Sequence, residues 1–310
     1  MIRTAFVLGA GLGTRLKSLT AQRPKPLIPV ANKPLITYAF DHLLGVGVER
    51  LVVNTFHRAE AYPSSFPETA YRGAPLTFRQ EAPEVLETAG GIKNVADLLQ
   101  GEPFFVYNGD ILSDLPLEPA IRAHEAQGNE VTLVLRSHGG PLQVSIDRAT
   151  GRLTDIGGKL KGEDNKAPRF LFTGIYLVNP EFLARIPAAT KMSVIPVFLE
   201  MIQQGAKLGG VIIDDGHWWD LGTREQYLAV HTALALDGGA PWIDDEAQIS
   251  SSAKLTGASA VGRGARIGDE VHLENCLVWE GAEIATGSRL RDCIVTAGSR
   301  VSGTHVALDL

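Results

Sequence analysis

The 310-residue sequence predicts an α/β fold: a mostly parallel sheet with helices on both faces, followed by a short left-handed parallel β-helix. Three observations predict it. Short apolar runs alternate with helical patterns over the first 230 residues. Beyond residue 247 apolar residues recur every six positions, a period that no helix has. Between them, residues 232–246 ("TALALDGGAPWIDDE") break the alternation. The expected organisation is one domain over 1–231, a linker over 232–246 and a repeat tail over 247–310.

The runs "TAFVLGA", "RLVVNTF", "PLTFRQ", "PFFVYNGD", "EVTLVLR" and "FLFTGIYLV" read as strands, being short and rich in Val, Leu, Phe and Thr. The stretches "PLITYAFDHLLGVG", "AGGIKNVADLLQG" and "LEPAIRAHEAQG" space apolar residues by three or four, with a glycine near the end, and read as helices. Such alternation gives a Rossmann-like sheet buried on both faces. Its ligands bind beyond the carboxyl ends of the strands.

In the tail, Ile249, Leu255, Val261, Ile267 and Leu273 are spaced by six. The register shifts through "ENCLVW", resumes at Ile284 and Leu290 and reaches Val301. Each hexapeptide is expected to form one side of a coil, and about 60 residues make three or four coils. Cys276 and Cys293 lie 17 positions apart, near one coil repeat, and are expected to stack as small buried groups.

Composition bounds the function. Hydrophobic content of 45% and charged content of 21% fit a soluble globular chain with a sizeable core. Two cysteines give neither a disulfide framework nor a zinc spacing. No stretch approaches the ~20 apolar residues of a membrane span. The short apolar start is broken by glycines and Arg15, so a signal peptide is not expected. A net charge of −6 without a basic face argues against nucleic acid. The expectation is a cytoplasmic protein with neither membrane nor nucleic acid as partner.

Against that charge, "VLGAGLGTRLKSLTAQRPKPLIPV" (7–30) gathers Arg15, Lys17, Arg23 and Lys25 around Gly9, Gly11 and Gly13. Glycines after a first strand let the backbone approach a ligand and expose N–H groups. A helix expected from about Thr14 would add a positive dipole end. Arg15 offers a planar fork for phosphate. Prolines around Lys25 restrict where it points. The pattern reads as the complement of a polyphosphate. Thr14 stands where a dinucleotide fingerprint needs glycine, and the Walker lysine spacing is absent. Arg23 and Lys17 read as surface or rim.

The string G-x-G-x-R-L-(x)8-P-K-P-L-x-P-V resembles the signature of the sugar-1-phosphate nucleotidyltransferases. "LETAGGI" (86–92) resembles that family's second nucleotide loop and "VYNGDIL" (106–112) its metal-binding segment. "LFTGIYLV" (171–178) resembles the sugar-pocket strand, and "HWWDLGT" (217–223) the segment with a second metal-binding aspartate. Within the family the catalytic half looks closest to N-acetylmuramate 1-phosphate uridylyltransferases. The tail is similar to those of mannose-1-phosphate guanylyltransferases.

The resemblance implies attack of a sugar 1-phosphate on the α-phosphorus of an NTP, UTP or GTP, releasing pyrophosphate. Catalytic roles fall to Arg15, Lys25, Asp110 and Asp220, with both aspartates holding Mg²⁺. By themselves Asp110 also suits a turn and Asp220 a helix cap. Nucleotide contacts are expected from Leu8, Gly9, Ala10, Gly11, Gly13, Thr14, Gln80, Glu87, Thr88 and Gly90, with the Gln80 amide on the edge of uracil. Sugar-phosphate contacts are expected from Gly140, Lys159 (or Lys161), Thr173 and Gly174, where the chain departs from the family pattern. His57, His138 and His217 have no required role, because the attacking phosphate is already ionised. Uridylyl transfer is the leading expectation and guanylyl transfer the alternative. A non-catalytic nucleotide-sugar-binding homologue and an acyltransferase using His272 or His305 are lesser ones. The tail is expected to drive homo-oligomer formation.

Overall fold

A computed structural model describes residues 2–11, 13–99, 101–162 and 167–310. The chain divides into two compact units, Met1–Leu12 with Ile36–Trp219, and Gly13–Leu35 with Asp220–Leu310.

The first unit is built on a sheet that has ten strands among the described residues. They are β1 (Thr4–Leu8), β2 (Arg50–Thr55), β3 (Ala70–Tyr71), β4 (Ala74–Gln80), β5 (Phe104–Asn108), β6 (Val131–Arg136), β7 (Val144–Asp147), β8 (Arg152–Ile156), β9 (Arg169–Val178) and β10 (Leu208–Ile212). Their spatial order is β7-β8-β10-β6-β9-β5-β1-β2-β4-β3. β1 pairs in parallel with β2 and β5, β2 with β4, and β6 with β10. Ala5, Phe6 and Val7 are all fully buried, so residues of both parities lie under cover and both faces of the sheet are packed.

The sheet is less parallel than the strand–helix alternation suggests. β9 lies between β5 and β6 and runs antiparallel to both. β7 (VSID) and β8 (RLTDI) form an antiparallel pair that the apolar-run reading passed over, since polar residues interrupt both. The three expected helices form as α1 (Ile36–Gly45), α2 (Glu87–Asn94) and α3 (Glu118–Gln127), the second ending earlier than expected and giving way to a 3₁₀ turn, Ala96–Leu98. In α1, Ile36, Ala39, Phe40 and Leu43 make the buried stripe at helical spacing. A further helix, α4 (Val194–Gln203), starts from Ser193, whose hydroxyl accepts the Ile195 N–H. The main core joins Phe6, Val52, Ile92, Phe104, Val106, Leu133, Tyr176 and Phe198.

The second unit joins the signature segment to α5 (Arg224–Leu236) and the tail. The α-helix expected from Thr14 is instead a seven-residue 3₁₀ helix, Thr14–Thr20. Gly13 precedes it at φ +59°, and the Gly13 carbonyl accepts from Leu16 N (3.1 Å) and Thr20 Oγ1 (3.0 Å). So short a helix leaves little dipole, and the anion reading rests on the side-chain cations. α5 crosses the expected boundary at 231, and the first tail strand, Trp242–Ile243, lies inside the expected linker.

The tail is a three-sided, left-handed parallel β-helix with four strands on each side. Ile249, Ile267, Ile284 and Val301 stack in register, as do Leu255, Leu273 and Leu290, and Val261, Val278 and Val295. Leu277 N donates to Cys293 O, and both cysteines are free and fully buried, as their spacing predicts. No helix among the described residues is long and apolar enough to cross a membrane.

Candidate active site

In the first unit the nucleotide- and metal-side candidates sit at or beyond the carboxyl ends of β1, β4 and β5, and the sugar-side ones within β9 and on the loops after β6 and β8. β1 ends at half-buried Leu8, whose carbonyl accepts Gly109 N at 2.9 Å. Gly9 follows with both backbone groups engaged: its N–H donates to Asn54 Oδ1 (2.8 Å) and its carbonyl accepts from Tyr62 Oη (2.8 Å). A Cβ on Gly9 would lie 2.6 Å from Asn54 O. Gly9 is therefore a close-packed anchor, not a free hydrogen-bonding group for a base. The next residues are buried Ala10 and exposed Gly11, around which a Cβ would meet nothing within 4 Å. Asp110 stands half-buried two residues past β5, the strand that pairs Asn108 with Leu8.

Gln80 is the exposed last residue of β4, paired with Thr55. Glu87 opens α2 at φ +60°, a left-handed conformation that is rare for a side chain of this size. Its carboxylate is exposed and makes no hydrogen bond or ion pair among the described residues. Thr88 Oγ1 accepts from Val194 N at 2.7 Å. Gly90 differs from the expectation. Its N–H donates to Met192 O (3.1 Å), and a Cβ would lie 2.3 Å from Thr190 O, so it serves loop packing.

The sugar-side expectations fare unevenly. Thr173 is fully buried; its hydroxyl donates to Val134 O (2.8 Å) and its carbonyl accepts from Trp218 Nε1 (2.9 Å). Its side chain is strand packing, not a sugar contact. Gly174, at φ +78° in the irregular part of β9, makes room for Asn108. Gly140 is exposed, and a Cβ there would lie 3.7 Å from the Trp218 ring. Lys159 and Lys161 are exposed on a turn fixed by buried Asp155, which accepts from Leu160 N and Lys161 N at 3.1 Å each. Part of that loop, 163–166, and the side chains of Thr14 and Lys17 lie outside the described residues.

In the second unit, Lys25 starts a 3₁₀ turn between Pro24 and Pro26 and is 5% exposed. Its ammonium is 3.3 Å from Asp220 Oδ1. The largely exposed Arg15 guanidinium lies 4.0 Å from Asp220 Oδ2, and a Cβ on Gly222 would lie 2.7 Å from it. Asp220 does not cap the following helix. Thr223 does, in a reciprocal box with Gln226. The structure thus brings Arg15, Lys25 and Asp220 together, as the sequence expected.

Arg23 is not a rim residue. Its guanidinium lies 4.9 Å over the Trp279 ring and pairs with Glu280, and burial lowers its pKa. Ala31 N donates to His231 Nε2 (3.1 Å), whose Nδ1–H donates to Tyr227 O (2.8 Å). Burial pushes the pKa of that imidazole down to about 4. The Tyr227 hydroxyl donates to Pro29 O. Sequence reading missed Asn54, Glu81 and Trp218. Asn54 alone left a signal, a polar side chain inside an apolar strand.

A family model for nucleotidyl transferases matches residues 4–236. The chain belongs to the nucleotidyl transferase family. It is an enzyme, a sugar-1-phosphate nucleotidyltransferase, as are the relatives it matches. It is 30% identical over 295 residues to a mannose-1-phosphate guanylyltransferase of Mycobacterium tuberculosis, covering 91% of this chain and 81% of that one. It is 33% identical over 329 residues to a probable mannose-1-phosphate guanylyltransferase of Arabidopsis thaliana, covering 97% and 82%. Among solved structures, the fold is similar to HddC from Yersinia pseudotuberculosis complexed with GMP-PN, with a TM-score of 0.59 at 21% identity, covering 74% of this nucleotidyltransferase and 97% of HddC. It is also similar to the inositol-1-phosphate CTP transferase from T. maritima, with a TM-score of 0.62 at 18% identity, covering 73% and 91%. Both show the fold. These relatives do not carry the expected closeness to N-acetylmuramate 1-phosphate uridylyltransferases.

Proposed function

We propose that this nucleotidyltransferase moves a guanylyl group from GTP to a sugar 1-phosphate of the mannose type. One oxygen of the sugar phosphate bonds to the α-phosphorus, the bond to the β-phosphate oxygen breaks, and pyrophosphate leaves with the electron pair. The sequence alone favoured uridylyl transfer. The two guanylyltransferases above, matched over nearly the whole chain, favour the alternative.

The observation that carries the base reading is Glu87. Its unusual backbone angle presents an unpartnered carboxylate at the start of α2. Guanine offers adjacent N1–H and N2–H donors that one carboxylate accepts together. Uracil offers a single N–H between two carbonyls, which would face the second carboxylate oxygen. Gln80 is suited to guanine O6 as a donor. Lys25 and Arg15 neutralise phosphate oxygens, Arg15 through its planar fork. Asp110 and Asp220 are hard oxygen donors of the kind a divalent cation takes, and Mg²⁺ is the proposed one. When bound, the cation offsets charge growing on the phosphate oxygens. Homo-oligomer formation through the tail and a cytoplasmic location complete the reading.

The test is a matrix of NTPs against sugar 1-phosphates with Mg²⁺, read by pyrophosphate release. GTP with mannose 1-phosphate is expected to turn over fastest, and Glu87→Gly to narrow the GTP/UTP ratio by about tenfold or more. UTP preferred by both proteins refutes the base assignment. No turnover with any pair refutes the activity.

A further inference from the structure

Asn54 and Glu81 form a buried relay in the first unit, and neither has a role in the chemistry above. Asn54, in β2, is 1% exposed. Its Oδ1 accepts the Gly9 N–H at 2.8 Å, and its Nδ2 donates to Glu81 Oε1 at 2.7 Å. Glu81, one residue past β4, is also 1% exposed, and its Oε2 accepts the Leu86 N–H at 2.7 Å. An unbroken chain of three hydrogen bonds thus links the glycine turn after β1 to the residue before Glu87. Tyr62 holds the other side of Gly9. The packing around the relay leaves no slack. A Cβ on Gly91 would lie 2.7 Å from Asn54 Nδ2 and 3.0 Å from Glu81 Oε1.

A buried carboxylate is costly, and two N–H donors aimed at it offset that cost. Burial raises the pKa of Glu81 while the bonds from Leu86 and Asn54 pull it back. A plain core would achieve packing with apolar side chains. A polar relay in low dielectric adds direction, because each link is strong only at one geometry.

We infer that Asn54 and Glu81 are positioning residues that fix the spacing of the two nucleotide loops, so that the backbone after Gly9 and the Glu87 carboxylate meet one base. This rests on the nucleotide reading of those loops given above. The relay acts through Gly9 and Leu86, so its loss weakens nucleotide binding and leaves the sugar phosphate untouched.

The donor–acceptor order permits a reversal test. Asn54→Asp places two carboxylates face to face. Glu81→Gln sets one amide N–H₂ against a donor. The double variant combines the two substitutions. Its carboxylate at position 54 accepts from Gly9 N and from the amide at position 81, and the carbonyl oxygen of that amide accepts from Leu86 N. Every link returns, with the sense of one bond reversed and the net charge unchanged. GTP binding is measured by calorimetry on the full chain, with KM for both substrates and hydrogen exchange of the Gly9 and Leu86 amides. Each single variant is expected to weaken GTP binding by about 10- to 100-fold, and the double variant to recover to within about threefold of wild type. KM for the sugar phosphate stays within about twofold, and exchange of the two amides rises in the single variants alone. Single variants that bind GTP as wild type does, or a folded double variant that binds no better than they do, overturn the inference. A single variant too unstable to purify leaves the double variant as the deciding measurement. Wild-type protein that binds no nucleotide ends the nucleotide reading instead, a separate result.

Discussion

His231 gives the fold a pH-dependent weak point whose size follows from its surroundings. The imidazole is 1% exposed, accepts Ala31 N–H at Nε2 and donates from Nδ1 to Tyr227 O, so it is held neutral. Burial sets its folded-state pKa at about 4, against 6.5 for the ordinary side chain. Between those values the unfolded chain binds a proton that the folded chain refuses. Stability from this group is therefore whole above the unfolded value and drains as pH falls toward the folded one. At about pH 5 the loss comes to about 2 kcal/mol, and it approaches about 3 kcal/mol near pH 4. His231→Gln keeps an acceptor for Ala31 and removes the titration. Urea unfolding, followed by tryptophan fluorescence with Trp242 packed 5.8 Å from the His231 ring, compares the two proteins at about pH 7.5 and pH 5. His42 and His124, whose pKa values burial also lowers, contribute equally to both proteins and cancel. Wild type is expected to lose about 2 kcal/mol more than the variant on acidification. Equal losses would refute the assignment of a neutral, proton-refusing His231.

Lys25→Met removes a buried ammonium and leaves Asp220 with the more distant, exposed Arg15 beside it, so turnover is expected to fall by about 100-fold or more in a pyrophosphate-release assay. Asp110→Asn is expected to lose a similar factor with Mg²⁺ while near-UV circular dichroism is unchanged, and near-normal rates would show that the carboxylate is misassigned. Arg23→Ala loses the Trp279 stacking and the Glu280 pair, at a cost of about 1–3 kcal/mol by urea titration. Ile267→Ala opens a cavity in the coil core and is expected to cost about 2–5 kcal/mol in the same titration.

The periodic parts of the molecule were legible in the sequence. A spacing of six fixes which side of a coil each residue takes, so Ile249, Leu255 and Val261 announced the tail. Continuous apolar strands such as β1 and β6 were equally plain, since a strand buried on both faces has few polar residues. The antiparallel insertion of β9 left no trace, because an apolar run carries no direction. At the site, Lys25 was readable from its flanking prolines and Asp220 only through the resemblance of its segment, while their ion pair left no signal in the sequence. Thr173 and Gly90 were misread because residues inside a motif were taken to face a ligand, whereas β9 and the 190–192 loop claim them. Asn54 and Glu81 were missed because a hydrogen-bond relay between separate strands has no local spacing.

The segment bearing Lys25 has a second owner. Asn32 Nδ2 donates to Trp242 O (3.1 Å) and Val261 O (2.9 Å), Ser18 Oγ donates to Asp309 (3.1 Å), and Arg224 Nε grips the same carboxylate at 2.6 Å. The coils are thus scaffolding for the cationic strip, and more than a detachable handle for assembly. Trimming them, or grafting the coils of a cousin that lacks counterparts to Trp279 and Glu280, would remove the contacts that hold residues 13–35 in place, even in a protein that stays soluble. A substitution on the coil surface facing residues 13–35 is therefore felt by the segment that carries Lys25.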